Sequence, residues 1–186
     1  MTFLSRPQRH AADHLWVTIA QQSRAILLFA PLAMVAARAD ALDGCLVLLC
    51  LAAPSWRAIP QCVPPVRELF RDLALGRPFP TCAMAGAGNS ASHQWASAPD
   101  FCPPQYVSSF DTENSTQYDC AFEGAVSVSI RGEPFVRTWW RRDGEAVSEF
   151  SPAAKAQLGS WNRRFEDDYA VWAAMQPPVV PDPTAP

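Results

Sequence analysis

Six cysteines constrain this chain more than any other feature, because covalent bridges fix which segments can lie side by side. They are Cys45, Cys50, Cys62, Cys82, Cys102 and Cys120. Consecutive cysteines lie 5, 12, 20, 20 and 18 residues apart, whereas zinc sites and thioredoxin-like redox sites use close C-x-x-C pairs. His93 is the only histidine after residue 40. We therefore expect structural disulfides and neither a metal site nor a cofactor.

The segment before the cysteines has the features of an export signal. Three arginines give it a positive flank: Arg6, Arg9 and Arg24. An apolar core, AILLFAPLAMVAA (25–37), precedes the small-x-small sequence Ala37-Arg38-Ala39. This pattern predicts a signal peptide over residues 1–39, cleaved before Asp40. A retained anchor is the alternative, although the core is shorter than the roughly 20 residues that a membrane span needs.

Export would place all six cysteines in an oxidising compartment, the periplasm, with no stable membrane span after cleavage. Lipidation of Cys45 in the sequence LDGC is an alternative, but it would leave one thiol without a partner. Residues 40–186 contain 11 Lys and Arg against 17 Asp and Glu, a net charge near −6. Binding to a phosphate backbone needs clustered positive charge, so we expect no direct nucleic-acid partner.

Residues 40–82 read as two short helices joined by a tight turn. Asp43 is a helix N-cap before the apolar stretch Leu46–Ala53, which Pro54 ends. Pro65 suits the first turn of a second helix, which ends at Gly76 and Pro78. One face of this helix carries apolar residues at helical spacing: Val66, Leu69, Phe70 and Leu73.

Because the linker is short, the two helices should pack antiparallel, and this geometry selects the disulfides. It places Cys50 beside Cys62 and Cys45 beside Cys82, leaving Cys102 to pair with Cys120. A Cys45–Cys50 bridge is disfavoured, since five residues of helix rise about 7.5 Å, beyond the usual Cα separation in a disulfide.

Residues 83–121, rich in Ala, Ser, Gly and Asn, predict a loop region ordered by the Cys102–Cys120 bridge. In the segment 122–176, apolar and polar residues alternate again, as in β-strands. Val126, Val128 and Ile130 alternate with polar residues, residues 135–140 form a second alternating run, and Asp143-Gly144 marks a turn into a third strand. An antiparallel β-meander follows from this pattern.

A C-terminal amphipathic helix should follow, with Ser151 as N-cap and Pro152 at the first helical position. Its apolar stripe consists of Leu158, Trp161, Phe165, Tyr169 and Trp172. The proline-rich residues 177–186 form an extended tail. The predicted fold class is α+β: a disulfide-stapled helical hairpin, a β-meander and a C-terminal helix.

Adjacent strand residues point to opposite faces, so Trp139 and Trp140 cannot both enter one core. One of them is either covered by the last helix or exposed as a docking contact. With Trp95, these two tryptophans are the candidate docking surface.

No catalytic constellation emerges from the sequence. A Ser/His/Asp triad would have to use His93, which falls in the predicted loop region, and the common nucleophile, phosphate-binding and metalloprotease motifs are absent. Glu68 and Asp72 share a helix face at i, i+4, the ordinary pattern of a solvated surface. We therefore predict a binding protein rather than an enzyme.

The stretches CLVLLCL, CVPPVRELF and RPFPTC resemble the TrbM/KikA/MpfK family of conjugal-transfer proteins. The matching positions are Cys45, Cys50, Leu51, Cys62, Phe70, Arg77, Phe79 and Cys82. The strand FVRTWW and the helix WNRRFEDDYAVWAA add a looser similarity, and residues 83–121 depart from the pattern.

The resemblance implies a periplasmic accessory component of mating-pair formation, beside a type IV secretion channel, with other channel or envelope proteins as partners. It implies no catalytic residues. Two alternatives remain: a secreted disulfide-rich toxin, inhibitor or effector, and a cell-wall hydrolase that uses paired carboxylates.

Overall fold

The structure is a computed structural model that describes residues 42–177, so the predicted signal peptide and residues 178–186 of the predicted tail lie outside the described residues. The fold is α+β, as predicted. The helices are α1 (Gly44–Ala52), α2 (Val63–Ala74), α3 (Pro152–Leu158) and α4 (Arg164–Ala174). The strands are β1 (Ser90–Trp95), β2 (Val107–Asp111), β3 (Thr116–Cys120), β4 (Gly124–Ile130), β5 (Glu133–Trp140) and β6 (Ala146–Phe150).

The helical hairpin forms as its capping residues predict. The Asp43 carboxylate accepts hydrogen bonds from the backbone N–H groups of Cys45 (2.9 Å) and Leu46 (3.2 Å), which starts α1. A 3₁₀ turn, Trp56–Ala58, leads into α2, whose first turn contains proline. The four apolar residues predicted for one face of α2 are all buried: Val66, Leu69, Phe70 and Leu73.

Three disulfides join the predicted pairs. The Cα atoms lie 4.5 Å apart in Cys45–Cys82, 5.3 Å in Cys50–Cys62 and 6.0 Å in Cys102–Cys120. Gly44 permits the first of these bridges, because a Cβ atom there would collide with the carbonyl of Thr81. The segment that carries Cys82 can therefore lie directly against the start of α1.

Four antiparallel strands form the main sheet in the order β1-β4-β5-β6. The consecutive strands β4, β5 and β6 are the predicted meander, with a register shift between Val128 and Ser129. Strands β2 and β3 pair separately as a two-stranded hairpin.

The prediction of a loop over residues 83–121 is wrong. This segment contains β1, a 3₁₀ turn at Pro104–Tyr106, and the β2–β3 hairpin. These strands are rich in Ser, Thr, Gln and Asp, which obscure the apolar alternation that marks a strand. Backbone pairing of β1 with β4, about 35 residues further along the chain, holds β1 in place.

The prediction of one C-terminal helix is also wrong, because the chain breaks between α3 and α4. Ser151 caps α3 as expected, its Oγ accepting from the N–H of Ala154 at 3.1 Å. Gly159 then adopts a φ of 69° and ends the helix. The predicted stripe is divided accordingly: Leu158 and Trp161 pack on one core and Phe165 on another.

Two apolar clusters lie on opposite faces of the main sheet. The hairpin cluster joins α1 and α2 to the inner face, where the rings of Phe70 and Trp140 stack with centroids 5.7 Å apart. The outer cluster covers the other face and comprises Phe122, Ala125, Trp139 and Val147, with Phe101, Tyr106 and Phe165 against them. Each face of the sheet thus has its own cover.

Three disulfides in one small chain are typical of extracellular or periplasmic proteins. Between Leu42 and Pro177, no helix has both the length and the hydropathy to span a bilayer.

Phe70→Ala should lower the free energy of unfolding by about 3–5 kcal/mol, because Phe70 is fully buried between Trp56 and Trp140. Urea unfolding without reductant measures the loss. The matched control is Phe110→Ala, at a ring that is 55% exposed, where we expect a change within about 0.5 kcal/mol. Equal losses in the two variants would contradict the assignment of Phe70 to the core.

Candidate functional site

The three candidate docking tryptophans do not form one surface. Trp139 and Trp140 lie on opposite faces, as the alternation predicts, but Trp140 is fully buried and Trp139 is 2% exposed. Both are covered within the fold, so neither can meet a partner. Trp95, at the end of the edge strand β1, is 49% exposed and remains available.

Trp95 ends a column of aromatic rings that runs from the surface into the hairpin cluster. Its ring centroid lies 4.9 Å from that of His93 and 5.8 Å from that of Trp140, which in turn stacks on Phe70. Gly124 makes room for this column. A Cβ atom there would lie 2.8 Å from His93 Nε2 and 3.2 Å from Trp140 Nε1.

His93 therefore sits in a structured strand rather than in a loop. Its Nε2 atom is buried and has no hydrogen-bond partner in the part of the chain that the structure describes. Burial lowers the pKa of His93 below its ordinary value, because the cation loses hydration. The ring is held by aromatic contacts, an arrangement typical of packing.

On the outer face, an Arg–Glu pair borders a cleft of about 300 Å³ between the 100–105 segment and α4. Trp139 Nε1 donates a hydrogen bond to Glu149 at 3.1 Å, and the Arg137 guanidinium lies 3.8 Å from the same carboxylate. The guanidinium also lies over the Phe101 ring, 5.3 Å from its centroid. Through these contacts, the charged side chains of Arg137 and Glu149 help to hold the segment around Phe101 on the outer face of the sheet.

A second tie fixes α4. The Tyr106 hydroxyl donates a hydrogen bond to Asp168 at 2.8 Å. Burial, followed by this bond and the negative charge of Asp168, raises the pKa of Tyr106 well above its usual range. Tyr106 therefore stays protonated and keeps donating at any physiological pH.

A mainly apolar concavity lies along α1, and it is not among the features predicted from the sequence. This α1 groove, about 330 Å³ in volume, is lined by Leu48, Leu49, Ala52, Met84, Val128 and Ile130 beside the Cys45–Cys82 bridge. Leu49 is 71% and Met84 85% exposed. Exposed apolar surface around a concavity is typical of a protein-binding site.

The sequence does contain a signal for this groove. Residues Cys45–Ala52 are apolar on every side of the helix, and such a helix needs cover all around. Only one side of α1 is covered by the described residues: Val47, Cys50 and Leu51 are buried, whereas Leu46 and Leu49 are exposed.

From residue 42 to residue 177, no cluster of three or more His, Cys, Asp or Glu side chains is placed to hold a metal ion.

The lowered pKa of His93 predicts a pH-dependent stability. As the pH falls through 6.5, the ordinary pKa of a histidine, the unfolded chain takes up a proton that the folded state resists, so the free energy of unfolding falls. His93→Gln should remove this part of the acid sensitivity. Unfolding curves of both proteins at pH 7.5 and pH 5, with an NMR titration of the His93 ring, measure the effect. Identical pH dependence in the two proteins, or a ring that titrates above 6.5, would contradict it.

Comparisons with protein-family models, with curated proteins and with solved structures find no match to this chain.

Proposed function

We propose that this chain is a periplasmic accessory component of conjugative DNA transfer, similar to the TrbM/KikA/MpfK family. In this proposal residues 1–39 direct export and are removed, and the disulfides form in the periplasm. The protein then acts beside a type IV secretion channel by binding channel or envelope proteins, without catalysis.

The observation that carries the proposal is the convergence of the residues on which the resemblance rests. Four of them form the two hairpin disulfides, Cys45–Cys82 and Cys50–Cys62. Phe70 is fully buried in the hairpin cluster and Phe79 packs against it. Arg77 forms an ion pair with Asp72 at 2.6 Å, at the end of α2. Residues that are scattered over about forty positions thus build one structural unit.

Helix α1 of this unit forms one wall of the α1 groove, which we assign to the protein partner. Both ends of α1 are tied, at Cys45 and at Cys50, so little conformational freedom is left to lose on binding. A rigid apolar groove suits apolar side chains from a helix or strand of another envelope protein.

Charge supports indirect rather than direct contact with DNA. The three arginines of the local basic group all form ion pairs. Arg137 lies 3.8 Å from Glu149, Arg141 lies 3.2 Å from Asp143, and Arg142 lies 3.3 Å from Glu123. These pairs reduce the positive potential that phosphate binding requires.

Deletion of the gene from a plasmid-carrying donor strain should abolish plasmid transfer and leave growth unchanged. Mating frequency measures the effect, and expression of the intact chain in the donor should restore it. An unchanged transfer frequency would exclude the proposal.

Leu49→Lys in the α1 groove should lower the transfer frequency by about tenfold or more, because it puts a charge into an apolar contact. Leu75→Lys is the matched control. Leu75 follows α2, is 66% exposed and lies outside the groove. Both variants should unfold at the wild-type urea concentration. Equal transfer by the two variants would reject the groove as the docking site while leaving the role in transfer open to the deletion test.

A further inference from the structure

We infer that two copies of this chain associate by pairing their β1 strands antiparallel, so that the two main sheets become one continuous sheet. This inference is independent of the role in conjugation.

The outer edge of β1 is open. Strand β1 pairs along all six of its residues with β4, and nothing else in residues 42–177 forms a backbone hydrogen bond with Ser90–Trp95. Such an edge offers a row of free N–H and C=O groups to another strand.

Natural edge strands are protected by charge, proline or bulges, and β1 has none of these. Its sequence, SASHQW, contains no Lys, Arg, Asp, Glu or Pro, and its pairing with β4 is regular. The other edges differ. Strand β6 carries Glu149, and the β2–β3 hairpin carries Asp111 and Asp119, which would repel their counterparts in a second copy. Strand β1 is therefore the edge suited to self-association.

Shape selects the register. Residues directly opposite in an antiparallel pair share a face, so a two-fold axis at His93 places Trp95 of one copy opposite Ala91 of the other. Ala91 borders a groove of about 250 Å³, lined also by Leu48 and Phe79. The half-exposed Trp95 ring can enter that groove of the second copy. The two-fold axis repeats this contact, so the dimer contains it twice.

Charge agrees with the antiparallel direction. Arg131 lies near the start of β1, its backbone N–H donating to Asn89 at 2.9 Å, and Asp100 follows the strand in the Ser97–Phe101 turn. Antiparallel pairing brings the Arg131 end of one copy toward the Asp100 end of the other. Arg131 and Asp100 are thus of opposite sign across the interface.

Sedimentation equilibrium of the mature chain without reductant should give a dimer. In the inferred register, Ser92 lies opposite Gln94 of the second copy, and both side chains face solvent in the monomer. A variant with Ser92→Glu and Gln94→Glu places two glutamates opposite each other at both ends of this pair. It should raise the dissociation constant of the dimer about tenfold or more. Its matched partner, with Ser92→Lys and Gln94→Glu, opposes unlike charges and should dimerise at least as tightly as the native chain.

Trp95→Ala should also weaken the dimer, whereas Tyr118→Ala, at a ring with the same 49% exposure on β3, should not. A monomeric native chain, or a dimer that both double variants weaken equally, would overturn the inference. Circular dichroism and urea unfolding verify that each variant keeps the native fold, so a loss of dimer reports on the interface.

Discussion

The Cys45–Cys82 and Cys50–Cys62 bridges hold together two helices that are too short to be stable alone. Helix α1 has 9 residues and α2 has 12, whereas isolated helices shorter than about 12–15 residues are marginal in water. Each bridge stabilises the fold by about 3–4 kcal/mol on chain-entropy grounds, because it closes its loop in the unfolded state as well. With the hairpin fixed, Phe70 can stack on Trp140, and the inner face of the sheet gains its cover.

The outer face is covered differently. There the Cys102–Cys120 bridge ties the 100–106 segment to the end of β3, and polar contacts complete the cover. Trp139 donates to Glu149, and Tyr106 donates to Asp168. Both faces of the main sheet are thus covered. The exposed side of α1 and the open edge of β1 lie outside these covers. The proposed partner contact and the inferred self-association adjoin at Leu48, which lines both the α1 groove and the groove that faces Trp95 of the second copy.

The hairpin could be predicted because its signals are local. Asp43, Pro54 and Pro65 mark helix ends, and the antiparallel packing that follows limits the cysteine pairs. Strand β1 could not be predicted in this way, since its inward positions hold Ala91 and His93 rather than large apolar residues. A distant partner, β4, also sets its register. The break at Gly159 is hidden in the sequence, because Leu158 before it keeps helical spacing with Trp161 and Phe165 after it.

The candidate site was predictable only in part. Alternation correctly places Trp139 and Trp140 on opposite faces, but exposure depends on what covers each face, and the cover of Trp139 comes from Phe101 and Phe165 in distant segments. The α1 groove likewise depends on Met84 and Ile130, which the fold brings beside Leu49.

The disulfide framework can be tested by peptide mapping of the native protein with mass spectrometry, without reduction. Three linked peptide pairs are expected: Cys45 with Cys82, Cys50 with Cys62 and Cys102 with Cys120. Six free thiols, or a bridge between Cys45 and Cys50, would contradict it.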